Sequence, residues 1–212
     1  MKLILLGAPG VGKGTQAEIL TKELKIPAIS TGNMLRAAMK DQTPLGEKVR
    51  EYMDSGRLVS DEIVIELLSK RIQEPDCSNG FILDGVPRTI VQAEALEQAG
   101  IIIDHVISIE VDDAEIETRM TGRRVCPQCG NSYHIVANPP KTEGRCDRCY
   151  SRLTIRKDDA PETVRHRLEV YHASTEVLKD FYRELGRLRL VNGSQSIEGA
   201  NEDILKVIGA QV

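Results

Sequence analysis

The chain has no tryptophan and only two phenylalanines, and aromatics make up 3% of its 212 residues, so aliphatic side chains must build its core. No apolar run approaches the ~20 residues that span a bilayer. The short run behind Met1-Lys2 ends at Gly7, too soon for a secretory signal, so a cytoplasmic location with reduced thiols is expected. Neither sign of charge dominates: 28 Lys and Arg face 32 Asp and Glu, net −4, interspersed along the chain, which argues against a general nucleic-acid or membrane binder. There is no internal repeat and no low-complexity segment. What is present is 41% hydrophobic residues, enough for a full core, in a length that suits one main domain with a smaller insertion.

Leu3-Ile4-Leu5-Leu6 reads as a buried strand, and Ala17, Leu20 and Leu24 as one face of a helix. Between them lies Gly7-Ala8-Pro9-Gly10-Val11-Gly12-Lys13-Gly14-Thr15. In that context the glycines let backbone N–H groups turn inward, the helix start adds partial positive charge, and Lys13 can reach outer phosphates. The stretch is thus a phosphate cradle, with Gly14 standing where such loops commonly carry Ser or Thr.

Further along, Ile26 to Ile29 reads as a short second strand, and Ser30-Thr31-Gly32 opens a helix bearing Arg36. Pro44 suits a first helical position, with Gly56 as the stop, and Ser60 starts a longer helix through Ile72. Phe81-Ile82-Leu83 reads as a central strand ending in Asp84, a place where an α/β fold holds Mg²⁺ directly or through water. Gly85-Val86-Pro87-Arg88 follows, then a helix from Thr89 to Gly100, a strand over Val106 to Val111 and a helix with Ile116 and Met120. Helical spacing resumes after Pro161 and runs to Leu185, Leu188 to Val191 makes a fifth strand, and a last helix carries Ile204, Leu205 and Ile208. This alternation predicts a doubly wound, five-stranded parallel sheet.

The alternation fails for almost forty residues after Gly122, where Cys126, Cys129, Cys146 and Cys149 stand as two Cys-x-x-Cys pairs sixteen residues apart. Two tight turns each offering two thiolates fit a tetrahedral ion, zinc first; disulfides suit a reducing compartment poorly. Four cysteines leave no open position, so such a site is structural. Cys77 stands outside the set, as a free thiol near the surface or under a loop. The arginines of this segment, including Arg145, Arg148 and Arg152, keep a nucleic-acid-binding zinc ribbon as an alternative, but Tyr133 and Tyr150 are its only aromatics.

Arg36 and Arg88 follow strands at the edge that holds the cradle, and Arg119, Arg123, Arg156 and Arg167 flank the cysteine segment. Arginine forks bind phosphate oxygens in pairs. A surplus of them beside one cradle points to a second anionic substrate, a phosphate acceptor that needs repulsion relieved rather than a base.

Five motifs together resemble the adenylate kinases of the long bacterial type with a zinc-binding lid: Gly7 to Gln16, Ser30 to Arg36, Leu83 to Arg88, Thr121 to Arg124 and Arg156 to Asp159. The resemblance implies reversible transfer from MgATP to AMP, with Lys13, Asp84, Arg88, Arg123, Arg156 and Arg167 in the chemistry. It implies ATP contacts from Gly10, Val11, Gly12, Lys13, Gly14, Thr15, Arg119, Arg123, Ser132, Tyr133 and the Gln195 backbone. It implies AMP contacts from Thr31, Arg36, Arg57, Leu58, Val59, Gly85, Val86, Pro87, Arg88 and Gln92, with Arg156 and Arg167 bridging the exchanged phosphates. Asp158 and Asp159 resemble lid-hinge acids. Implied too are a core of 1–29, 60–121 and 160–212, an AMP-binding insert of 30–59, a lid of 122–159, structural zinc and a monomer. Asn33 and Val86 depart from the family's usual Asp and Phe. A pyrimidine monophosphate kinase would share the cradle but resembles a short-lidded form, and a GTP switch would need an Asn-Lys-x-Asp segment that is missing.

Overall fold

A computed structural model describes residues 1–209; the last three residues of the segment 160–212 lie outside it. Five parallel strands make the central sheet: β1 (Lys2–Leu6), β2 (Ala28–Ser30), β3 (Phe81–Asp84), β4 (His105–Glu110) and β7 (Leu188–Asn192), in the order β2-β3-β1-β4-β7. Their alternate residues divide the core. Leu3, Leu5, Ile82, Ile107 and Ile109 pack in one aliphatic cluster, whereas Ile4, Leu6, Phe81, Leu83 and Val106 pack in the other. A sheet covered on both faces explains why its strands read as unbroken apolar runs.

Around it lie α1 (Lys13–Leu24), α4 (Asp61–Arg71), α5 (Ile90–Gln98), α6 (Asp113–Thr121), α7 (Pro161–Val170), α8 (Leu178–Glu184) and α9 (Ile197–Val207). Two excursions leave this body. Between β2 and α4 the chain makes α2 (Thr31–Lys40) and α3 (Pro44–Ser55), started by the Ser30 and Thr43 side chains and by Pro44 at the first turn of α3. Between α6 and α7 it makes an antiparallel hairpin, β5 (Arg123–Val125) with β6 (Ser132–His134), and the cysteine turns.

The second strand begins later than its sequence implied, at Ala28, because Lys25 ends α1 in the left-handed region; Pro27 still contributes its carbonyl to Ile82 N–H at 2.9 Å. The helical series of 161–185 is also interrupted. A π turn over Tyr171–Thr175 separates α7 from α8. Cys77 is buried, with the Arg71 guanidinium 3.0 Å from its sulfur. Among the described residues no helix is long and apolar enough to cross a membrane.

Candidate functional site

The order of the strands reverses at β1, which has β3 on one side and β4 on the other. Ligands of open α/β sheets sit outside the carboxyl ends at such a point, and the loop of residues 7–12 leaves β1 there. Gly7 adopts φ +129, and a Cβ on it would stand 2.5 Å from the Ile109 carbonyl, so only glycine lets the loop turn so close to β4. Helix α1 follows with no side chain capping its first turn, as is also true of α4, α6, α7 and α8, but α1 alone of these opens directly from the glycine loop. Its N–H groups are thereby left for an anion.

Lys13 bends back over the loop, its ammonium 2.7 Å from the Gly7 carbonyl and 2.8 Å from that of Ala8. Desolvation is the main reason its pKa falls to about 7; Asp84 opposes the fall, and Arg88, Arg167 and Arg123 add to it. Asp84 ends β3 level with Leu5, its carboxylate 3.5 Å from where a Cβ on Gly14 would be. That places it beside the first turn of α1, within reach of a hydrated cation travelling with a nucleotide.

The arginines arrive from every side of this loop. Arg36, on α2, lies over Gly32 and donates to Asn33 Oδ1 at 2.8 Å. Burial first, then Arg123, Arg88 and Arg167, bring its pKa down to about 10 against the pull of Asp158. Arg156 falls to about 9 through burial and the neighbouring Arg36 and Arg123. Arg88 and Arg167 are lowered in the same way, by burial first. Arg123 makes a two-pronged pair with Asp159, whose side chain is fully buried, and Arg167 binds Asp158 at 2.9 Å. Burial works against charge on Asp158, yet Arg167, Arg156, Arg36 and Arg123 together hold its carboxyl below the ordinary range. Six cations thus share a cleft with three carboxylates, Asp84, Asp158 and Asp159. A site so crowded with one sign is built for a polyanion.

A narrow slot opens between the first excursion and the sheet, lined by Thr31, Leu35, Met53, Val59, Arg88 and Gln92 among others. Gly85 and Leu58 also border it, and Val86 and Pro87 are buried beside it. Arg57 also borders the slot, its guanidinium over the Tyr52 ring at 4.8 Å and paired with Glu51. Arg119 is held by Glu115 and by the Gly193 carbonyl at 2.8 Å. Gln195 donates through its side-chain amide to the Asn192 carbonyl and to Asp203, each at 2.8 Å.

The side chain of Tyr133 is engaged elsewhere. It is buried in the knuckle, where its hydroxyl accepts from Asn131 Nδ2 and Asp147 N–H, each at 2.7 Å; Ser132 beside it is exposed. Glu115 and Ser194, which fix Arg119, carry no motif of their own; the signal that could have found Glu115 is its i,i+4 spacing to that arginine.

The sulfurs of Cys126, Cys129, Cys146 and Cys149 all lie within 4.8 Å of one another, with Cys126–Cys149 at 3.3 Å, Cys129–Cys146 at 3.5 Å and Cys129–Cys149 at 3.6 Å. All four are free thiols. A tetrahedron of thiolates about 2.3 Å from a zinc ion has edges of about 3.8 Å, so the set fits that ion.

Residues 5–187 match the protein family described as Adenylate kinase. A protein named adenylate kinase from Carboxydothermus hydrogenoformans is 57% identical over 202 residues, covering 93% of this chain and 94% of its own. Another from Caldicellulosiruptor bescii is 53% identical across the full length of both chains, and one from Lachnospira eligens is 50% identical over 99% of this chain and 100% of its own.

Proposed function

The chain belongs to the adenylate kinase family and phosphorylates AMP with ATP, and on that premise we propose how its residues divide the reaction. The N–H groups of Gly10 to Thr15 and the Lys13 ammonium take the β- and γ-phosphates of ATP, and Asp84 and Thr15 are the residues that would hold the Mg²⁺ travelling with ATP, directly or through water. Arg119 offers its fixed plane to the ATP adenine, with main-chain contacts from Ser132, Tyr133 and Gln195. AMP occupies the slot between 30–59 and the sheet, its base end near Thr31, Val59 and Gln92 and its phosphate held by Arg36 and Arg88.

Arg123, Arg156 and Arg167 lie between the two nucleotides and neutralise the charge that spreads over the moving phosphoryl group. The acceptor oxygen is already anionic, so no general base is required; positioning and charge relief do the work. ADP bound at both sites reverses the transfer. The lid, 122–159, shields the γ-phosphoryl group from water, and four thiolates holding zinc give it a fold. Both sites are completed within one chain, which supports a monomer. Arg123 and Arg156 turn into the cleft and Arg145 stacks on its own Tyr150, which supports nucleotides rather than nucleic acid as the lid's anions. The cytoplasm, where both nucleotides circulate, is the fitting compartment.

The observation that carries this reading is the convergence of six cations from separate elements on one phosphate loop. Lys13→Met tests it through ADP formation from ATP and AMP. Removing one preorganised donor at developing charge typically costs on the order of 10²–10³ in rate. Turnover within a few-fold of the unaltered protein would refute the assignment.

A further inference from the structure

Arg88 stands on the five-residue loop between β3 and α5, and both polar groups of its main chain are taken by side chains. Its N–H donates to Gln92 Oε1 at 2.8 Å, and its carbonyl accepts from Thr175 Oγ1 at 2.8 Å. Its own Nε donates back to the Gly85 carbonyl at 2.8 Å, which leaves the two terminal nitrogens for a phosphate.

Neither grip is incidental. The Gln92 amide donates through Nε2 to Asp61 Oδ1 at 2.7 Å. A carboxylate only accepts and a backbone N–H only donates, so the amide cannot turn over without facing donor to donor and acceptor to acceptor. Asp61 also accepts from the Thr89 hydroxyl at 2.9 Å, and that hydroxyl accepts from Gln92 N–H at 3.2 Å. One carboxylate at the head of α4 therefore roots the whole amino-terminal side of α5.

Thr175 is equally committed. Threonines in helices commonly spend their hydroxyl on the carbonyl four residues back, as Thr21 and Thr118 do here. Thr175 is buried, 7% exposed, and donates instead to a residue 87 positions away. It closes the π turn at which the helix passes from one aliphatic cluster to the other: Val164, Leu168 and Tyr171 belong to the first, Leu178 and Tyr182 to the second. Single π turns of this kind recur at functional sites.

We propose that Asp61 and Thr175 are positioning residues for phosphoryl transfer, clamping the Arg88 main chain from both sides so that its guanidinium meets the AMP phosphate at a fixed place relative to Arg167. Neither residue touches a substrate. Asp61 stands just beyond the first excursion, and Thr175 stands on the helical path that carries Arg167 out of the lid, so the clamp sets the two arginines in one frame. This rests on the reading of Arg88 as a phosphate-binding residue.

Thr175→Val and Asp61→Leu break the clamp, and Thr175→Ser and Asp61→Asn keep an oxygen in place. Steady-state kinetics for each substrate, well below each variant's melting temperature, provide the readout. Displacement of a positioned group by an ångström costs on the order of 10²-fold in rate; a loosened main-chain clamp is expected to lower kcat/KM for AMP by about ten-fold or more, with the KM for ATP within about two-fold. The Ser and Asn variants should return to within about two-fold of the original. Equal impairment of breaking and conservative variants, equal effects on AMP and ATP, or unchanged kinetics would each overturn the proposal. If Thr175→Val does not fold, Thr175→Ala removes the same hydroxyl with the same readout. Arg88→Lys separates the premise from the inference. Unimpaired AMP kinetics in that variant would sink both, whereas impairment there beside normal Thr175→Val and Asp61→Leu would sink the clamp alone.

Discussion

Lys13 must be cationic to hold phosphate, yet its surroundings oppose the charge. Desolvation brings its pKa from 10.5 to about 7, with Arg88, Arg167 and Arg123 pressing the same way and Asp84 resisting. Between about pH 7 and 10.5 the folded protein therefore binds fewer protons here than the unfolded chain, and this group's contribution to stability rises with pH across that window. Below pH 7 both states carry the proton and the cost of the confined ammonium is present in full. A nucleotide reverses the balance, because its phosphates favour the ammonium and lift the pKa again. ATP binding at about pH 8 should then take up close to one proton, read as a dependence of the calorimetric binding enthalpy on the ionisation enthalpy of the buffer. Lys13→Met should abolish that dependence. An enthalpy independent of buffer at that pH would mean that Lys13 is already charged before the nucleotide arrives.

Among the elements, the cysteine lid has the least to hold it together. Its buried cluster is Cys126, Tyr133, Cys146 and Leu153, with Cys129 against it. Its strands are three residues long. Metal binding in such a segment is folding energy, on the order of 10 kcal/mol apparent in peptide-scale zinc domains. If the four thiols hold zinc, Cys146→Ser with Cys149→Ser should abolish its binding, open 122–159 to proteolysis and lower the melting temperature, while the sheet keeps its circular dichroism. Turnover should fall through misplaced Arg123 and Arg156 rather than through lost chemistry. If turnover vanished with the lid intact and stability unchanged, the metal would be catalytic. The same lid shows where the sequence could be read and where it could not. Cys-x-x-Cys spacing announces the four-thiol cluster, but three-residue strands are too short to show alternation, so the β5–β6 hairpin leaves no sign in the sequence. The strand, glycine turn and helix around Lys13 were legible because each has its own period, and α2 and α3 because Ser30 and Pro44 announce their starts. The π turn left no mark: Leu168, Tyr171, Leu178 and Tyr182 fit helical spacing on either side, and one widened turn changes only which cluster they face. Thr175 and Asp61 carry no sign of their partners either, because those partners lie 87 and 31 residues away.

Across the whole molecule, the cleft is closed by thin contacts. Lys40 on α2 reaches Gln128 in the lid at 3.3 Å, Lys157 meets Asp54 at 3.1 Å, and Gly56 lies so close to Arg167 that a Cβ would stand 2.6 Å from its Cγ. Lys157 is largely exposed, and exposed ion pairs are worth about 0–1 kcal/mol. Against them stands the mutual repulsion of Arg36, Arg88, Arg123, Arg156 and Arg167. Such a balance makes closure depend on the anion: without phosphate the crowded cations favour separation, and with it each becomes a partner. A compound joining both nucleotides should therefore slow hydrogen exchange in 30–59 and in 122–159 together, and AMP alone should slow it chiefly in the first. It should also raise the melting temperature, since a ligand at one hundred times its Kd stabilises by about 2.7 kcal/mol. Because the force is electrostatic, added salt should weaken binding, and with it the protection at a fixed ligand concentration, most where the cleft is open to solvent. Protection confined to residues 7–15 would show that the excursions do not move with the phosphates. Protection of both segments that persists in Arg36→Ala with Arg156→Ala would show that something other than these cations draws them shut.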